Sequence, residues 1–146
     1  INLEALATEY LLNDAKEIEG YQFNMLKLDT DSKFPLTYLV PQPMWQSLLI
    51  DLKQSASPAL MAAKFHQGLA MAIANMVTEL HQSCEFNQVA LSGGVFQNKL
   101  LLSGVSDRLI KMGLEVLTHS QVPPNDGGLS LGQVAIAAAG SRGVGE

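Results

Sequence analysis

The sequence predicts an α/β fold with a parallel βαβα unit in its second half. Apolar residues 89–91 lead into two adjacent glycines and then into helical spacing, and a second strand and helix repeat this order. Elements that alternate in this way form parallel sheets with right-handed crossovers. Because 47% of the 146 residues are hydrophobic, the chain can fill one core. We therefore expect a single domain, 1–146, built from parts 1–56 and 57–146, with a mixed sheet and covering helices.

The first elements are a predicted helix and a predicted hairpin. Apolar side chains recur every three or four positions over residues 3–18, and Gly20 is the expected helix stop. Alternating apolar residues predict strands over 21–28 and 36–40, joined by a turn over 29–33.

Two further helices follow the hairpin. Helical spacing resumes over residues 44–54, and a longer helix is predicted over 59–81. Ser57 is the expected N-cap of the longer helix, with Pro58 at its first position. We expect this helix to be central to the core through an apolar stripe that consists of Leu60, Ala63, Leu69, Ile73, Met76, Val77 and Leu80.

The second half supplies the alternating unit. Strands are predicted over residues 88–91 and 115–117, and a helix over 96–112 lies between them with Gly113 as its stop. The last helix, 129–139, is apolar nearly all round, which requires burial.

The segment Ser-Gly-Gly-Val-Phe-Gln-Asn at residues 92–98 is suited to hold an anion. Because Gly93 and Gly94 lack a Cβ, the backbone can adopt positive φ and bring its N–H groups close to a ligand. The following helix would direct the positive end of its dipole at the same point. A phosphate is the expected ligand, although a tight turn without a ligand explains the glycines equally well. Neither the dinucleotide-binding pattern nor the P-loop pattern is present.

A second loop, Pro-Pro-Asn-Asp-Gly-Gly at residues 123–128, is expected beside this turn, because both follow the carboxyl ends of parallel strands. Its acidic residue, Asp126, has two interpretations. It is a metal ligand beside a nucleotide phosphate, since hard cations prefer oxygen donors, or it is a helix N-cap or Asx-turn residue.

Composition excludes several classes of function. Nine basic and fourteen acidic residues give a net charge of -5 without a basic cluster, which argues against nucleic-acid binding. The single cysteine, Cys84, excludes a disulfide framework and a CxxC zinc site within the chain. No apolar run reaches the roughly 18 residues of a membrane span, and no signal pattern is present, so we expect a soluble, cytoplasmic protein. The chain begins at Ile1 inside a helical pattern, which we interpret as a fragment.

The three histidines share no metal-ligand spacing. We expect His66 to be a capping or hydrogen-bonded partner on the long helix and His81 to lie at the end of that helix. His119 is the histidine with an expected functional position, because it lies in the loop at the predicted sheet edge.

Two motifs, LSGGVFQNKLLL at 91–102 and VPPNDGGLSLGQ at 122–133, closely resemble the C-terminal end of the HypF family, the carbamoyltransferases that mature NiFe-hydrogenases. The segment AAKFH at 62–66 also fits the long helix of that family, and the resemblance extends over 58–139. It implies the C-terminal lobe of an actin-like, two-lobed ATPase fold, which the tRNA threonylcarbamoyl transferases share. Those relatives carry a similar first motif but differ at the second, so the tRNA-modifying function is the alternative.

The resemblance implies a reaction and a set of site residues. A carbamoyl group, activated as an adenylate, is transferred to the C-terminal cysteine of HypE and later becomes a cyanide ligand of iron. Gly93 and Gly94 would contact an ATP- or AMP-type nucleotide, Asn98 would hydrogen-bond to it, and Asp126 would complete a divalent metal site.

The family pattern also has parts that this chain lacks. Its paired metal-ligand histidines (HxxxH), acylphosphatase-like domain, CxxC zinc segment and adenylate-forming domain are absent, so the chain holds half a site whose catalytic residues are unknown. We expect no turnover from the chain alone. A non-catalytic interaction module is the hypothesis from a different class. An uncovered lobe face predicts a homodimer.

Overall fold

The computed structural model describes residues 2–13, 18–28 and 36–142, without the side chains of 141 and 142. These residues form helices and strands in an α/β arrangement, which confirms the predicted class. The elements are α1 (Leu3–Asn13), β1 (Asn24–Leu28), β2 (Leu36–Val40), α2 (Gln42–Lys53), α3 (Pro58–Ser83), β3 (Gln88–Leu91), α4 (Lys99–Lys111), β4 (Glu115–Thr118) and α5 (Leu129–Arg142). Short 3₁₀ turns at Gly94–Gln97 and Asp126–Gly128 precede α4 and α5.

The first helix is shorter than the sequence predicts. Its described part runs to Asn13, and residues 18–20 are not helical, so Gly20 is not its stop. Gly20 instead lies against Gly68 of α3, where a Cβ on either glycine would collide with the backbone of the other segment. The glycine has a different role because it allows two backbones to cross in contact.

The predicted hairpin is confirmed, with β1 and β2 antiparallel and Asn24 opposite Val40. The predicted turn at 29–33 lies outside the described residues. The first strand begins at Asn24 and not at Tyr21, because Tyr21 donates its N–H to the carbonyl of Lys64, 3.0 Å away.

A polar cluster ties this segment to α2 and α3. The Tyr21 hydroxyl donates to Asp51 Oδ2 at 2.8 Å, and Lys64 Nζ lies 2.6 Å from the same oxygen. The Lys64 ammonium holds the pKa of Asp51 below its usual range. Burial and the neighbouring carboxylate raise the pKa of Tyr21, so its hydroxyl remains a donor.

The long helix α3 is central, as predicted. Ser57 caps it by accepting from the N–H of Leu60 at 3.2 Å, and Pro58 is its first residue. Most of the predicted stripe is confirmed, because Ala63 is buried and Leu69, Ile73 and Val77 pack against the core. Leu80 departs from it, since this residue is 41% exposed. Close packing by α1 and α4 takes small side chains, and the buried residues are Ala62, Ala63, His66, Gly68, Ala70, Ala72 and Ala74.

The predicted parallel unit is confirmed, because β3 and β4 pair in parallel across α4, with Leu91 opposite Thr118. Gly113 ends α4 at φ +84°. Within the described residues the strands form two separate two-stranded sheets and not one mixed sheet. Because Asn98 caps α4, that helix begins at Lys99 and not at Phe96.

The last helix is exposed, whereas its apolar sequence predicts burial. Leu129, Leu131, Val134 and Ile136 are between 55% and 75% exposed, so the described part of the chain supplies no cover for them. None of the described helices combines the length and apolar character needed to cross a bilayer.

Candidate functional site

The candidate site begins with the turn after β3, whose free N–H groups can be identified. Gly93 donates its N–H to the carbonyl of Pro124 at 2.7 Å, so this N–H is not available to a ligand. The N–H groups of Gly94 and Val95 have no acceptor within the described part of the chain. Successive free N–H groups in such a turn form a concave anion site. The available donors therefore lie at the second glycine and the residue after it.

The two glycines serve different purposes. Gly93 has φ +104° and ψ 158°, a conformation that L side chains rarely adopt, so the fold requires a glycine there. Gly94 has no such requirement, because an added Cβ would meet only Asn125 Cβ at 3.9 Å, an ordinary contact. The fold itself thus does not require a glycine at position 94. The missing side chain instead leaves the N–H of Gly94 accessible to a ligand.

The second loop lies against this turn, which confirms the juxtaposition expected from the strand order. Pro124 accepts the Gly93 hydrogen bond, and His119 Nε2 lies 2.9 Å from Ser92 Oγ. The two loops are thus joined by a backbone contact and by a side-chain contact at the carboxyl ends of β3 and β4.

Asp126 is the first residue of the 3₁₀ turn that leads into α5. The neighbouring residue Asn125 provides the Asx turn, accepting at Oδ1 from the N–H of Gly127 at 3.0 Å. The Asp126 carboxylate has no hydrogen bond or ion pair to any residue that the structure describes. The capping role considered for Asp126 therefore belongs to Asn125, and the carboxylate is open to a cation.

Asn98 lies at the other end of the same turn and donates its backbone N–H to the carbonyl of Val95 at 3.2 Å. Its Oδ1 accepts from the N–H of Leu101 at 2.9 Å, and its Nδ2 lies 2.7 Å from His66 Nε2. If Asn98 contacts a nucleotide as predicted, the group available for it is the second hydrogen on Nδ2.

The dipole of α4 does not point at an open site, contrary to the sequence prediction. Glu4 Oε1 accepts from the N–H of Lys99 at 2.7 Å and lies 3.4 Å from that of Leu100. Since Asn98 takes the N–H of Leu101, protein oxygens occupy the first turn of α4. The donors open to an anion are those of the preceding 3₁₀ turn.

The histidines occupy three different places. His66 is buried on α3 and contacts Asn98, His81 is exposed in the last turn of α3 with its ring 4.9 Å from that of Phe86, and His119 lies at the two loops of the candidate site. Among the described residues, no group of three or more His, Cys, Asp or Glu side chains could hold a metal. In the two loops of the candidate site, the described residues thus offer the carboxylate of Asp126 to a cation.

Sequence reasoning missed three contacts of this region. Ser92 pairs with His119, and its position beside the glycines is the available signal. The link between His66 and Asn98 joins two helices, and Glu4 caps a helix 95 residues away. Neither of these two pairs leaves a local pattern in the sequence.

Comparison with known proteins identifies relatives of the chain. The family described as "Carbamoyltransferase, Kae1-like Domain, second subdomain" matches residues 1–133. Carbamoyltransferase HypF2 of Cupriavidus necator is 40% identical over 90 residues, which are 62% of this chain and 11% of that protein. A carbamoyltransferase HypF homolog from the same organism is 35% identical over 140 residues, covering 94% of this chain and 34% of that protein.

A solved structure agrees with these matches. The crystal structure of full-length HypF in the phosphate- and nucleotide-bound form superposes with a TM-score of 0.76 at 31% identity, covering 92% of this chain and 16% of that chain. The chain spans about a third or less of the length of the curated relatives it matches.

Proposed function

The chain belongs to the HypF family of carbamoyltransferases, and on that basis we propose that it is the C-terminal lobe of a transferase acting through a carbamoyl-adenylate. The proposed acceptor is the C-terminal cysteine of HypE, whose carbamoyl group becomes a cyanide ligand during NiFe-hydrogenase maturation. In this proposal the protein is cytoplasmic, and further domains supply the other lobe and the adenylate. The curated relatives named above are carbamoyltransferases, which favours this function over tRNA modification.

One observation carries the proposal. The N–H groups of Gly94 and Val95 are free, Gly94 has no side chain that would block them, and the loop that contains the free Asp126 carboxylate is fixed against the same turn. Donors for an anion and a ligand for a cation therefore lie on two loops held together by the bond from Gly93 to Pro124. A nucleotide phosphate with a bound cation needs these two kinds of group.

The free N–H groups have a direct role in the proposed reaction. The cysteine thiol loses its proton to water, its sulfur attacks the carbamoyl carbon, a bond between sulfur and carbon forms, and the bond from carbon to the phosphate oxygen breaks. The electron pair of the broken bond stays on that oxygen, and AMP leaves. Donors at Gly94 and Val95, fixed by the turn before the reaction, stabilise the negative charge that grows on the leaving phosphate.

Asp126 is the proposed metal ligand of this lobe. A single carboxylate fits a hard cation but does not complete its coordination, so the remaining ligands belong to the other lobe. When bound, such an ion would neutralise phosphate charge and polarise the acyl group. Asn98 is the proposed hydrogen-bond donor to the nucleotide, through the second hydrogen on Nδ2.

Calorimetric titration tests the proposal. ATP and AMP, each with Mg²⁺, are titrated into the 146-residue chain and into the complete transferase. We expect binding to the complete enzyme and much weaker binding to the chain, because half of the site is missing. The Gly94→Val variant of the complete enzyme should lose nucleotide binding and keep its fold, since a side chain there blocks the donors while its Cβ meets only one ordinary contact.

Ser103→Val is the matched control, because it adds the same side chain to the exposed face of α4, away from the free N–H groups. It should bind nucleotide like the wild type. If Gly94→Val also bound like the wild type, the turn would not hold the nucleotide. A folded wild-type protein without any nucleotide binding would support the interaction-module hypothesis.

A further inference from the structure

His66 is a buried histidine that the proposed function does not yet use. It lies on α3 with 4% of its surface exposed, and both ring nitrogens have partners. Nδ1 lies 2.8 Å from the carbonyl oxygen of Ala62, and Nε2 lies 2.7 Å from Asn98 Nδ2. The partner of Nε2 is the residue that caps α4 and ends the turn carrying the free N–H groups.

The direction of each hydrogen bond in this chain of groups follows from its two ends. The N–H of Leu101 can only donate, so the Asn98 atom 2.9 Å from it must be the oxygen. Asn98 therefore presents its amide nitrogen to His66, and His66 Nε2 must accept. The carbonyl of Ala62 can only accept, so Nδ1 must carry the ring hydrogen. His66 is thus a neutral imidazole with one defined tautomer.

This arrangement fixes the orientation of the Asn98 amide. If the amide rotated by half a turn, its NH₂ group would face the N–H of Leu101, and its oxygen would face a nitrogen that carries no hydrogen. Both contacts would then be lost. The second hydrogen on Nδ2 has no acceptor among the described residues, and its direction is determined by the same orientation.

We propose that His66 is a positioning residue for the nucleotide site: by accepting from Asn98, it holds the free amide hydrogen of Asn98 ready for an acceptor oxygen of the nucleotide. The inference rests on the proposed function in so far as the ligand is a nucleotide. His66 does not itself touch the ligand, because both of its ring nitrogens are occupied within the protein. A buried histidine that only fills the core would have no effect on ligand affinity.

Three substitutions in the complete transferase separate the two roles. His66→Gln keeps an acceptor at similar reach from the backbone, whereas His66→Leu removes the acceptor and keeps an apolar side chain in the core. Asn98→Ser retains a good N-cap residue but removes the amide donor. His81→Leu is the matched control, because this histidine is exposed and lies in the last turn of the same helix.

AMP affinity with Mg²⁺ is measured by calorimetry for each variant. Loss of one oriented hydrogen bond weakens binding by about tenfold. We expect that loss for His66→Leu, wild-type affinity within about threefold for His66→Gln, and no change for His81→Leu. In the Asn98→Ser background, His66→Leu should cause no further loss, because the group it positions is already absent. Wild-type affinity in His66→Leu, or fully additive losses in the double variant, would overturn the inference.

The side-chain amide resonances of Asn98 distinguish failure of this inference from failure of the proposed function. If the wild type binds no nucleotide, the proposed function fails. The resonances then still test whether His66 orients the Asn98 amide. A shift of these resonances in His66→Leu but not in His81→Leu would support the link between the two residues. Unchanged resonances in His66→Leu would overturn it.

Discussion

Helices α4 and α5 both follow a short 3₁₀ turn at the carboxyl edge of the parallel strands, yet only one of them is packed. In α4 the buried residues Leu101, Val105 and Leu109 recur every four positions and face α3. In α5 the apolar side chains occur on all sides and remain exposed. A one-sided stripe indicates that cover comes from the same chain. A helix that is apolar on all sides needs a packing partner on more than one side, and the described part of the chain does not provide one.

Helices α4 and α5 also differ in whether groups of the protein itself complete their first turns. Oxygens of Asn98 and Glu4 occupy the first N–H groups of α4, so that end is completed within the protein. At the start of α5, Asn125 completes the turn and the Asp126 carboxylate remains free. The first turn of α4 is thus completed within the protein, whereas the turn before α5 leaves a carboxylate without a partner among the described residues.

The largest expected effect is a loss of stability on truncating the packed helix. Leu109 is 0% exposed, so Leu109→Ala should reduce the free energy of unfolding by about 2–5 kcal/mol through lost burial and a cavity. Ile136→Ala in α5 should change it by less than about 0.5 kcal/mol, because that side chain is 75% exposed. Urea unfolding measures both. Equal losses would show that α5 is packed after all.

The next effect concerns the free carboxylate. Asp126→Asn in the complete transferase should weaken Mg²⁺ or Mn²⁺ binding at least tenfold, about 1.4 kcal/mol, by removing a charged oxygen ligand. The free energy of unfolding should stay the same, because Asn125 makes the turn. Asn125→Ala is the control, with an expected stability loss of about 1 kcal/mol. A fully metallated and active Asp126→Asn enzyme would exclude the ligand role.

A third effect tests whether the exposed helix finds a partner surface. We expect the 146-residue chain to form a symmetric dimer in sedimentation equilibrium at micromolar concentration, because uncovered apolar patches associate. Ile136→Ser should weaken the dimer by at least about tenfold, since burial of such a side chain contributes about 1.5–3 kcal/mol in each copy. Ile110→Ser, on the exposed face of α4, is the control. A concentration-independent 15.7 kDa monomer would show that α5 needs no such cover.

The smallest expected effect is a pH dependence of the free energy of unfolding that comes from Asp51 on α2. Because the pKa of Asp51 is lowered in the fold, its contribution to stability is present above the unfolded pKa and is lost as the pH falls through the folded pKa. Asp51→Asn should flatten the acid limb of a stability profile measured by urea unfolding. An unchanged acid limb would mean that the contact with Lys64 contributes nothing measurable.

Local signals in the sequence predict much of this fold. Ser57 with Pro58, the glycine at 113 and the alternating strands each depend on neighbouring residues, and the structure confirms them. On α3 the predicted Leu69, Ile73 and Val77 are partly buried against the core, whereas its fully buried positions, where α1 and α4 pack closely, are mostly alanines. Periodicity counts apolar positions but does not measure the distance between helices.

Part of the candidate site could likewise be predicted from the sequence, and part could not. The two loops were predicted to meet because parallel strands place their carboxyl ends together, and the contact of Gly93 with Pro124 confirms it. The start of α4 was missed, although Asn98 is a favourable N-cap residue. The contacts of His66 with Asn98 and of Glu4 with Lys99 could not be predicted, because the partners are 32 and 95 residues apart.

The cap that Glu4 places on α4 also bears on the order of folding. Closing a loop of 95 residues costs about 4 kcal/mol of chain entropy, so such a contact forms after shorter-range structure has drawn its ends together. Strands β3 and β4 pair residues only 27 positions apart and can meet earlier. Within this chain α1 is synthesised nearly one hundred residues before α4, so its acidic side chain cannot make this contact until α4 has been made. We expect the contact of α1 with the site region to form late in folding.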